Sequence, residues 1–244
     1  MELKDFAAHV ISKFHVNKIE PWSAHFRSLE PNYLAAIRTA IAKAQGAIVN
    51  IAVDGEHSPC ASDKSEREAA IAFSKRWIDA AAAVGSPSIR TNIAPAGKSI
   101  PDLDLTVDSL RRVAEYAATN DVVVNLENDN PLTEDPVFLV RVIQKVNSPW
   151  LRALPDFANS LTAFGGAHAY SGVESMFKLA YNICHVKETE IGENGREARV
   201  DLAKTFGFLK QGGYKGYLSM EWDSPGDPYR GTADLIEMSL RYLT

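Results

Sequence analysis

The chain has 244 residues, of which 45% are hydrophobic and 23% charged, so its composition and length suit one globular, barrel-sized domain. The net charge is −5 and the 26 Lys and Arg residues are spread along the chain, which argues against a nucleic-acid surface. No run reaches the ~18 apolar residues of a membrane span. Cys60 and Cys184 are too few and too scattered for a disulfide framework, which predicts a cytoplasmic protein.

Short β-branched runs alternate with longer amphipathic stretches, which is the pattern of parallel βα units. The sequence predicts strands at 17–22, 47–53, 88–93, 122–127, 150–155, 181–187 and 216–221. It predicts helices at 2–14, 31–45, 64–84, 105–119, 135–146, 171–179, 196–211 and 232–243. No linker or low-complexity segment interrupts this alternation, so residues 1–244 are predicted to form a single domain.

The predicted elements begin with a helix, whereas a closed eight-stranded barrel begins with a strand. The predicted fold is therefore α/β, a (β/α)8 TIM barrel whose first strand is missing from this chain. Two explanations remain open, a late start relative to the full-length gene product or a barrel that stays open. Because an open barrel would leave unpaired strand edges, the late start is favoured.

Four residues of metal-ligand type follow four consecutive apolar runs, with spacings of 29, 29 and 36 residues: Glu127, Asp156, His185 and Glu221. A barrel strand with its helix and loops uses roughly 30 residues, so these side chains are expected to converge at the C-terminal mouth. Three carboxylates and one imidazole suit Mn²⁺ or Mg²⁺, with Zn²⁺ or Co²⁺ as alternatives. Their combined formal charge of −3 predicts a raised pKa for at least one carboxyl group when no metal is bound.

The residues around these four positions resemble a known family. The matching segments are NLEN at 125–128, LPDFAN at 154–159, HVK at 185–187 and GYLSME at 216–221. In this order and spacing they resemble the xylose isomerase-like barrels, the superfamily of sugar-phosphate isomerases, epimerases and apurinic endonucleases, over essentially the whole chain. The resemblance implies that Glu127, Asp156, His185 and Glu221 hold one divalent metal ion.

The resemblance also implies a reaction, the isomerisation or epimerisation of a small-molecule sugar or polyol. Glu127 and Glu221 would face each other across the metal. One would remove a proton α to the carbonyl group and the other would return it, through a metal-stabilised enediolate. A general base of this kind must reach its proton directly, which two strand-end carboxylates at a small mouth can do.

Six further side chains are predicted to bind substrate: Lys187, Arg90, Asn92, Trp22, Asn159 and Arg230. Lys187 lies two residues after His185 and points to the same side of its strand, where it either polarises a substrate oxygen or only closes the ligand cage. Arg90 and Asn92 alternate in the same way on the fourth strand. Trp22 is placed to stack on a sugar face or simply to pack.

Two positions depart from the ketose 3-epimerases of this superfamily. Those enzymes usually carry a histidine three residues after the aspartate ligand and an arginine six residues after the histidine ligand, where this chain has Asn159 and Ile191. The departure argues against a free-ketose 3-epimerase. Arg230 lies in 222–231, which is predicted to be a loop over the mouth where an arginine would meet an anionic group.

Three alternatives differ in class. A DNA-repair enzyme of this superfamily needs a three-zinc cluster with additional histidines, which HVKE at 185–188 does not supply. A dehydratase or lyase of a keto-inositol or keto-acid would share the first proton abstraction and differ by forming an ultraviolet-absorbing product. A non-catalytic carbohydrate-binding barrel would not need a −3 cluster that costs stability when empty. The resemblance also suggests a homodimer.

Overall fold

The computed structural model of the protein describes residues 1–98, 100–192 and 195–243. The helices of these described ranges are α1 (Leu3–Phe14), α2 (Pro31–Lys43), α3 (Lys64–Val84), α4 (Leu103–Thr119), α5 (Pro136–Val146), α6 (Leu161–Phe177), α7 (Leu202–Gln211) and α8 (Pro228–Leu243). The strands are β1 (Lys18–Ile19), β2 (Ala47–Ile48), β3 (Ile51–Val53), β4 (Ser88–Thr91), β5 (Val123–Glu127), β6 (Leu151–Leu154), β7 (Ile183–Val186), β8 (Thr189–Ile191), β9 (Glu197–Arg199) and β10 (Tyr217–Met220). None of the described helices combines the length and the apolar content that crossing a bilayer requires.

The chain divides into two compact units. The first comprises residues 1–126 and 145–152, and the second comprises residues 127–144 together with the residues from 153 onward. The first unit contains the parallel pair β1–β2 and most of a parallel sheet in the order β3-β4-β5-β6. Strands β5 and β6 continue from it into the second unit, so their carboxyl ends belong to the second unit.

The second unit contains the parallel pair β7–β10 and an antiparallel hairpin, β8–β9. Its core is a cluster of buried side chains: Phe157, Val173, Phe177, Cys184, Val186, Phe206 and Leu209. Phe157 contacts the rings of Phe177 and Phe206 edge to face, with centroid distances of 6.0 and 5.4 Å. Because Phe157 directly follows Asp156, this packing anchors the end of β6.

Helix starts in both units follow from local sequence. Asp63 accepts a hydrogen bond from the amide of Ser65 at 2.9 Å and begins α3, and Asp102 accepts from two amides at the start of α4. Gly85 ends α3 with a φ of 82°, a left-handed conformation that glycine adopts without strain. These caps place each helix between the strands that the hydrophobic pattern predicts.

All seven predicted strands and all eight predicted helices have counterparts among the described residues, but three boundaries were wrong. Residues 189–191 and 197–199 form the β8–β9 hairpin, where a helix was predicted to start at 196. Helix α6 begins at Leu161, ten residues earlier than predicted, although Gly165 interrupts it with φ 75° and ψ 159°. Helix α8 begins at Pro228 because Asp227 caps it, with its carboxylate accepting from the amide of Tyr229 at 3.0 Å.

Candidate metal centre

Parallel strand pairing in the second unit aligns the four predicted ligands. Glu127 is the last residue of β5, Asp156 lies two residues after β6, His185 is in β7, and Glu221 follows β10 directly. The amide of His185 donates to the carbonyl of Pro155 at 3.0 Å, which sets β7 beside the end of β6. One ligand atom from each of the four side chains lies within 4.8 Å of the others. The predicted convergence at strand carboxyl ends is therefore present.

The imidazole of His185 sits among the three carboxylates. Its Nδ1 donates to Oε1 of Glu127 at 2.6 Å and lies 3.1 Å from Oε2 of Glu221 and 4.0 Å from Oδ2 of Asp156. Glu127, Asp156 and His185 are buried, whereas the Glu221 side chain is 44% exposed. One edge of the cluster is therefore open to solvent and the remainder is enclosed.

The cluster has the donor set and the unused oxygen atoms that a divalent ion requires. Oδ2 of Asp156 and Oε2 of Glu221 are buried and accept no hydrogen bond from the described residues. Oδ1 of Asp156 is occupied by the amides of Ala158 and Asn159, at 2.8 and 2.7 Å, which leaves Oδ2 facing the other ligands. Because unsatisfied buried carboxylate oxygens are costly, a cation bound among these atoms would relieve the cost. Three carboxylates and one ring nitrogen fit Mg²⁺ or Mn²⁺.

In the absence of a metal ion, the pKa values of two carboxyl groups in the cluster, Asp156 and Glu221, shift in opposite directions. Burial raises the pKa of Asp156 to about 7, and the negative charges of Glu127 and Glu221 add to this effect against the attraction of Lys187 and His185. Burial works in the same direction on Glu221, but the nearby imidazole of His185 and the ammonium of Lys187 hold its pKa at about 2. The prediction that at least one carboxyl group would have a raised pKa is met at Asp156.

Lys187 lies against the Glu221 side of the cluster. Its buried ammonium donates to Oδ1 of Asn159 at 2.8 Å and lies 3.2 Å from Oε1 of Glu221, 3.8 Å from Oδ2 of Asp223 and 3.9 Å from Oδ2 of Asp156. Burial alone would lower the pKa of Lys187, but these carboxylates outweigh burial and raise it. Lys187 therefore carries a positive charge that offsets part of the negative charge of the ligands.

Asn128 holds the ends of β5 and β6 together and was not identified from the sequence. Its Oδ1 accepts from the amide of Asp156 at 2.8 Å, and its Nδ2 donates to the carbonyl of Asp156 and to Oγ of Ser160, both at 3.1 Å. This buried side chain fixes the main chain of one ligand from the strand that carries another. In the sequence, the only sign of this role is that Asn128 directly follows the candidate ligand Glu127.

A cavity of about 470 Å³ opens beside Lys187 in the second unit. Its described lining includes Asp129, Asn159, Thr162, Lys187, Glu190 and Asp223, with Pro131, Ala163 and Ile191 forming an apolar wall. A volume of this size lies within the range of ~300–1,000 Å³ that is usual for small-molecule sites. Lys187 and Asn159, two of the predicted substrate-binding residues, line this cavity. Asp129, Glu190 and Asp223 were not predicted.

Three other predicted substrate-binding residues lie in the first unit. Arg90 is buried and donates to Oδ1 of Asp54 at 2.7 Å, and it also contacts Oδ1 of Asn92, which lies just beyond β4. Trp22 is 44% exposed and donates its ring N–H to Oδ2 of Asp54 at 2.6 Å. These side chains form one network at the ends of β3 and β4, and their role in substrate binding stays a prediction.

Arg230 lies on the first turn of α8, not in a loop as predicted, because Pro228 begins the helix. Its side chain is 84% exposed, and its Nε lies 3.8 Å from Oδ2 of Asp234 one turn later. An exposed pair of this kind contributes little to stability. Arg230 is not one of the described residues that line the cavity.

Comparisons with known proteins place this architecture in a family. Over its full length the chain matches D-psicose 3-epimerase of Clostridium cellulolyticum H10, solved with D-tagatose, with a TM-score of 0.79, 15% identity and 94% of that chain covered. A xylose isomerase-like TIM barrel protein of Mycobacterium smegmatis, solved in complex with magnesium, gives a TM-score of 0.72 at 20% identity, with 99% of this chain and 90% of that chain covered. At these identities the similarity shows a shared TIM-barrel fold.

A curated relative matches only in part. The C-glycoside deglycosidase alpha subunit of Arthrobacter globiformis is 37% identical over 54 residues, which is 22% of this chain and 15% of that protein. The family model described as xylose isomerase-like TIM barrel matches residues 10–243, which span both compact units. The chain therefore belongs to the xylose isomerase-like TIM barrel family.

Proposed function

We propose that the protein is a divalent-metal-dependent isomerase or epimerase of a sugar or polyol. The observation that carries this proposal is the set of four side chains whose ligand atoms lie within 4.8 Å of one another. Two of these side chains present buried carboxylate oxygens that accept no hydrogen bond from any described residue. The adjoining cavity is large enough for a small polyhydroxy substrate. The fold shared with a sugar epimerase and with a magnesium-bound barrel supports the proposal.

In this proposal Glu127, Asp156, His185 and Glu221 hold the metal ion, with Mg²⁺ or Mn²⁺ favoured by the donor set and Zn²⁺ or Co²⁺ as alternatives. Nδ1 of His185 faces all three carboxylates and is the ring atom that would become a ligand. A bound divalent ion would supply Lewis acidity that polarises a substrate carbonyl group.

Glu127 and Glu221 are proposed to move the proton. The imidazole of His185 and the ammonium of Lys187 lower the pKa of Glu221, so its carboxylate is ionised at neutral pH and can accept a proton. Its Oε2 faces the cluster, while its Oε1 is on the side of Lys187. One glutamate would take a proton from the carbon next to the carbonyl, and the other would return it to a neighbouring atom or to the opposite face.

Lys187 and Asn159 are proposed to orient the substrate at the boundary between cluster and cavity. The ammonium of Lys187 can donate to a substrate oxygen without leaving Glu221, and Asn159 already links Lys187 to Oε1 of Glu127 through its amide, at 2.8 and 3.3 Å. The two residues thus connect both proposed proton-transfer glutamates. Substrate binding by Arg90, Asn92, Trp22 and Arg230 is proposed from their positions in the sequence alone.

The test combines metal analysis with proton exchange. The purified chain is assayed for metal by elemental analysis and then incubated in D₂O with a panel of ketoses and keto-inositols, while loss of the α-proton signal is followed by NMR. We expect about one divalent ion per chain and exchange with at least one compound. Glu127→Gln and Glu221→Gln should each abolish exchange, whereas the surface control Glu237→Gln on α8 should not.

Two results would contradict the proposal. One is a purified chain that contains no metal and whose melting temperature does not rise when Mn²⁺ or Mg²⁺ is added. The other is exchange or turnover that persists in Glu127→Gln or Glu221→Gln at the rate of the unaltered protein, because both side chains would then be dispensable for proton transfer.

A second candidate function is a lyase or dehydratase on the same metal site. The partial match to a C-glycoside deglycosidase subunit favours it, since that protein's name denotes cleavage of a bond to a sugar carbon. Proton abstraction next to the carbonyl would be shared, and a leaving group on the adjacent carbon would then depart. Such elimination creates a conjugated product, so a new ultraviolet absorbance in place of simple exchange would decide for the lyase.

We further propose a single domain over residues 1–244, a homodimer and a cytoplasmic location. The cytoplasmic proposal rests on two free, buried cysteines, Cys60 and Cys184. A single cooperative unfolding transition would support the single domain, and two separated transitions would contradict it. Light scattering that gives a monomer mass at working concentration would remove the dimer.

A further inference from the structure

The cavity beside the metal centre has an unusual charge balance for a protein that could receive sugar phosphates. Its described lining carries three carboxylates, Asp129, Glu190 and Asp223, against one cationic side chain, Lys187. The adjoining ligand cluster has three carboxylates, Glu127, Asp156 and Glu221, so it keeps a net negative charge even with one divalent ion bound. A phosphate ester carries about two negative charges near neutral pH and would enter against this field.

The two donors beside the cavity that could contact a phosphate already contact oxygen atoms of the protein, several of them negatively charged. The ammonium of Lys187 is surrounded by Asn159, Glu221 and Asp223 at 2.8–3.8 Å. The main-chain amide of Thr162, at the start of α6, donates to Oε2 of Glu190 at 2.6 Å. Both of these anion-binding groups therefore face carboxylate or amide oxygens of the chain.

Glu190 reaches this amide from a different element. It lies in β8 of the hairpin, 28 residues beyond Thr162, and its side chain crosses to the start of α6. The residue preceding α6, Ser160, makes no side-chain cap to that helix, and its hydroxyl instead accepts from Asn128. Because Ser160 does not cap α6, the main-chain N–H of Thr162 takes its acceptor from elsewhere, and that acceptor is the carboxylate of Glu190.

We propose that Glu190 determines the substrate class of this cavity by occupying the Thr162 amide with its own carboxylate, so that the site accepts uncharged polyhydroxy compounds and rejects phosphorylated ones. The inference rests on the proposed function for the statement that the cavity receives a sugar. A charged acceptor at a main-chain N–H makes a stronger hydrogen bond than a neutral one, so a phosphate would have to displace a strong partner and tolerate the repulsion of the displaced group.

Inorganic phosphate is the probe for the test because its binding needs no turnover. It is titrated by calorimetry into the Mg²⁺-loaded full chain at constant ionic strength, with the unaltered protein and Glu190→Ala, Glu190→Gln and Asp129→Asn side by side. We expect Glu190→Ala to bind phosphate at least ~10-fold more tightly than the unaltered protein, by freeing a donor and removing a charge. Glu190→Gln should give ~3-fold, because its amide oxygen still accepts from Thr162.

Asp129→Asn is the matched control. It removes one charge from the same wall and leaves Thr162 bonded to Glu190, so we expect less than a ~2-fold change from the altered field alone. Equal tightening by Asp129→Asn and Glu190→Gln would overturn the inference, since general charge would then explain the selection. Phosphate binding that is no tighter in either Glu190 variant would overturn it as well.

Structural and functional effects are separated by folding controls. Circular dichroism and the melting temperature identify a variant that has not folded normally. If Glu190→Ala does not fold, the comparison of Glu190→Gln with Asp129→Asn decides. Because phosphate binding is read without a reaction, it is independent of the proton-exchange test. If the Glu190 variants bind phosphate more tightly but no compound exchanges its α-proton, the proposed isomerase activity is contradicted and the role of Glu190 in excluding phosphate is not. If exchange occurs but the Glu190 variants bind phosphate no more tightly, only the role of Glu190 is contradicted.

Discussion

Two groups of charged side chains lie at the ends of parallel strands, one in each compact unit, and they differ in how their charges are matched. In the first unit, Arg90 and Asp54 form an ion pair at 2.7 Å, and the ring N–H of Trp22 donates to the other oxygen of Asp54. In the second unit, three carboxylates surround one imidazole, and two of their buried oxygens accept no hydrogen bond from the described residues.

The two groups differ in the balance between their positive and negative charges. The network in the first unit pairs its cationic group with a carboxylate, so we expect its removal to lower stability and to leave metal binding unchanged. The cluster in the second unit carries an excess of negative charge at low exposure, which proteins retain where a cation or a reaction requires it.

Removal of a ligand should have the largest effect. Asp156→Ala and His185→Ala each delete a buried donor to the proposed ion, so we expect metal affinity to fall by more than the roughly 10–100-fold that loss of an outer partner costs. Elemental analysis and metal titration measure this change. Asp54→Ala is the control from the first unit. A similar loss of metal affinity in that variant would show that metal binding does not depend on the second unit's cluster alone.

The ion-free protein should depend on pH through Asp156. Its pKa is about 7 in the folded chain and near 3.9 when unfolded, so its contribution to stability is complete below pH 4 and is lost as the pH rises through 7. Three pKa units correspond to on the order of 4 kcal/mol in the free energy of unfolding. Glu221 acts oppositely and outside this window, because its contribution is lost only as the pH falls toward 2.

Chemical denaturation of the chelator-treated protein at pH 4 to 8 measures this dependence. Asp156→Asn cannot ionise at this position and should be more stable than the unaltered ion-free protein at pH 7, with a flatter profile between pH 4 and 7. Identical pH profiles for the two proteins would show that the carboxyl group of Asp156 is not the source of the dependence.

Metal addition should stabilise the protein. At a free ion concentration 100 times the dissociation constant, binding to the folded state contributes about 2.7 kcal/mol. For a chain of this size this corresponds to a rise of about 5–10 °C in melting temperature. Thermal unfolding with Mg²⁺ or Mn²⁺, followed by EDTA, measures the effect, and His185→Ala should show none of it.

Asn128 should act through Asp156. Asn128→Ala removes the hydrogen bonds that hold the main chain of Asp156, so we expect metal affinity to fall by about 10–100-fold while the stoichiometry of one ion per chain remains. A metal titration measures the affinity. An unchanged affinity in a normally folded Asn128→Ala protein would mean that the neighbouring strands alone position Asp156.

The smallest effect is expected in the first unit. Asp54→Asn weakens the ion pair with Arg90, and because Asp54 is half exposed we expect a loss of only about 1 kcal/mol in the free energy of unfolding. Metal stoichiometry and affinity should stay the same. A shift in metal affinity would contradict the view that this network is separate in function from the metal centre.

Local sequence predicted most elements because their signals are local. Strands β5 and β7 fall in mainly apolar runs, and α3 is bounded by Asp63, which accepts from a neighbouring amide, and by Gly85 in a left-handed conformation. The β8–β9 hairpin was missed because its residues, TEI and EAR, carry no strong strand pattern. Pairing with each other stabilises them, and that pairing is a tertiary property.

The amino-acid sequence was enough to predict the four candidate ligands and their order, since strand periodicity and βα spacing place each one at a strand carboxyl end. The tertiary structure decided which atoms remain without partners, because burial and hydrogen bonds between distant segments set that outcome. Asp156 acquires a raised pKa from burial among residues up to 65 positions away, and Glu190 meets Thr162 from another strand. Composition and spacing carry no information about such contacts, whereas solvation and charge at close range depend on them entirely.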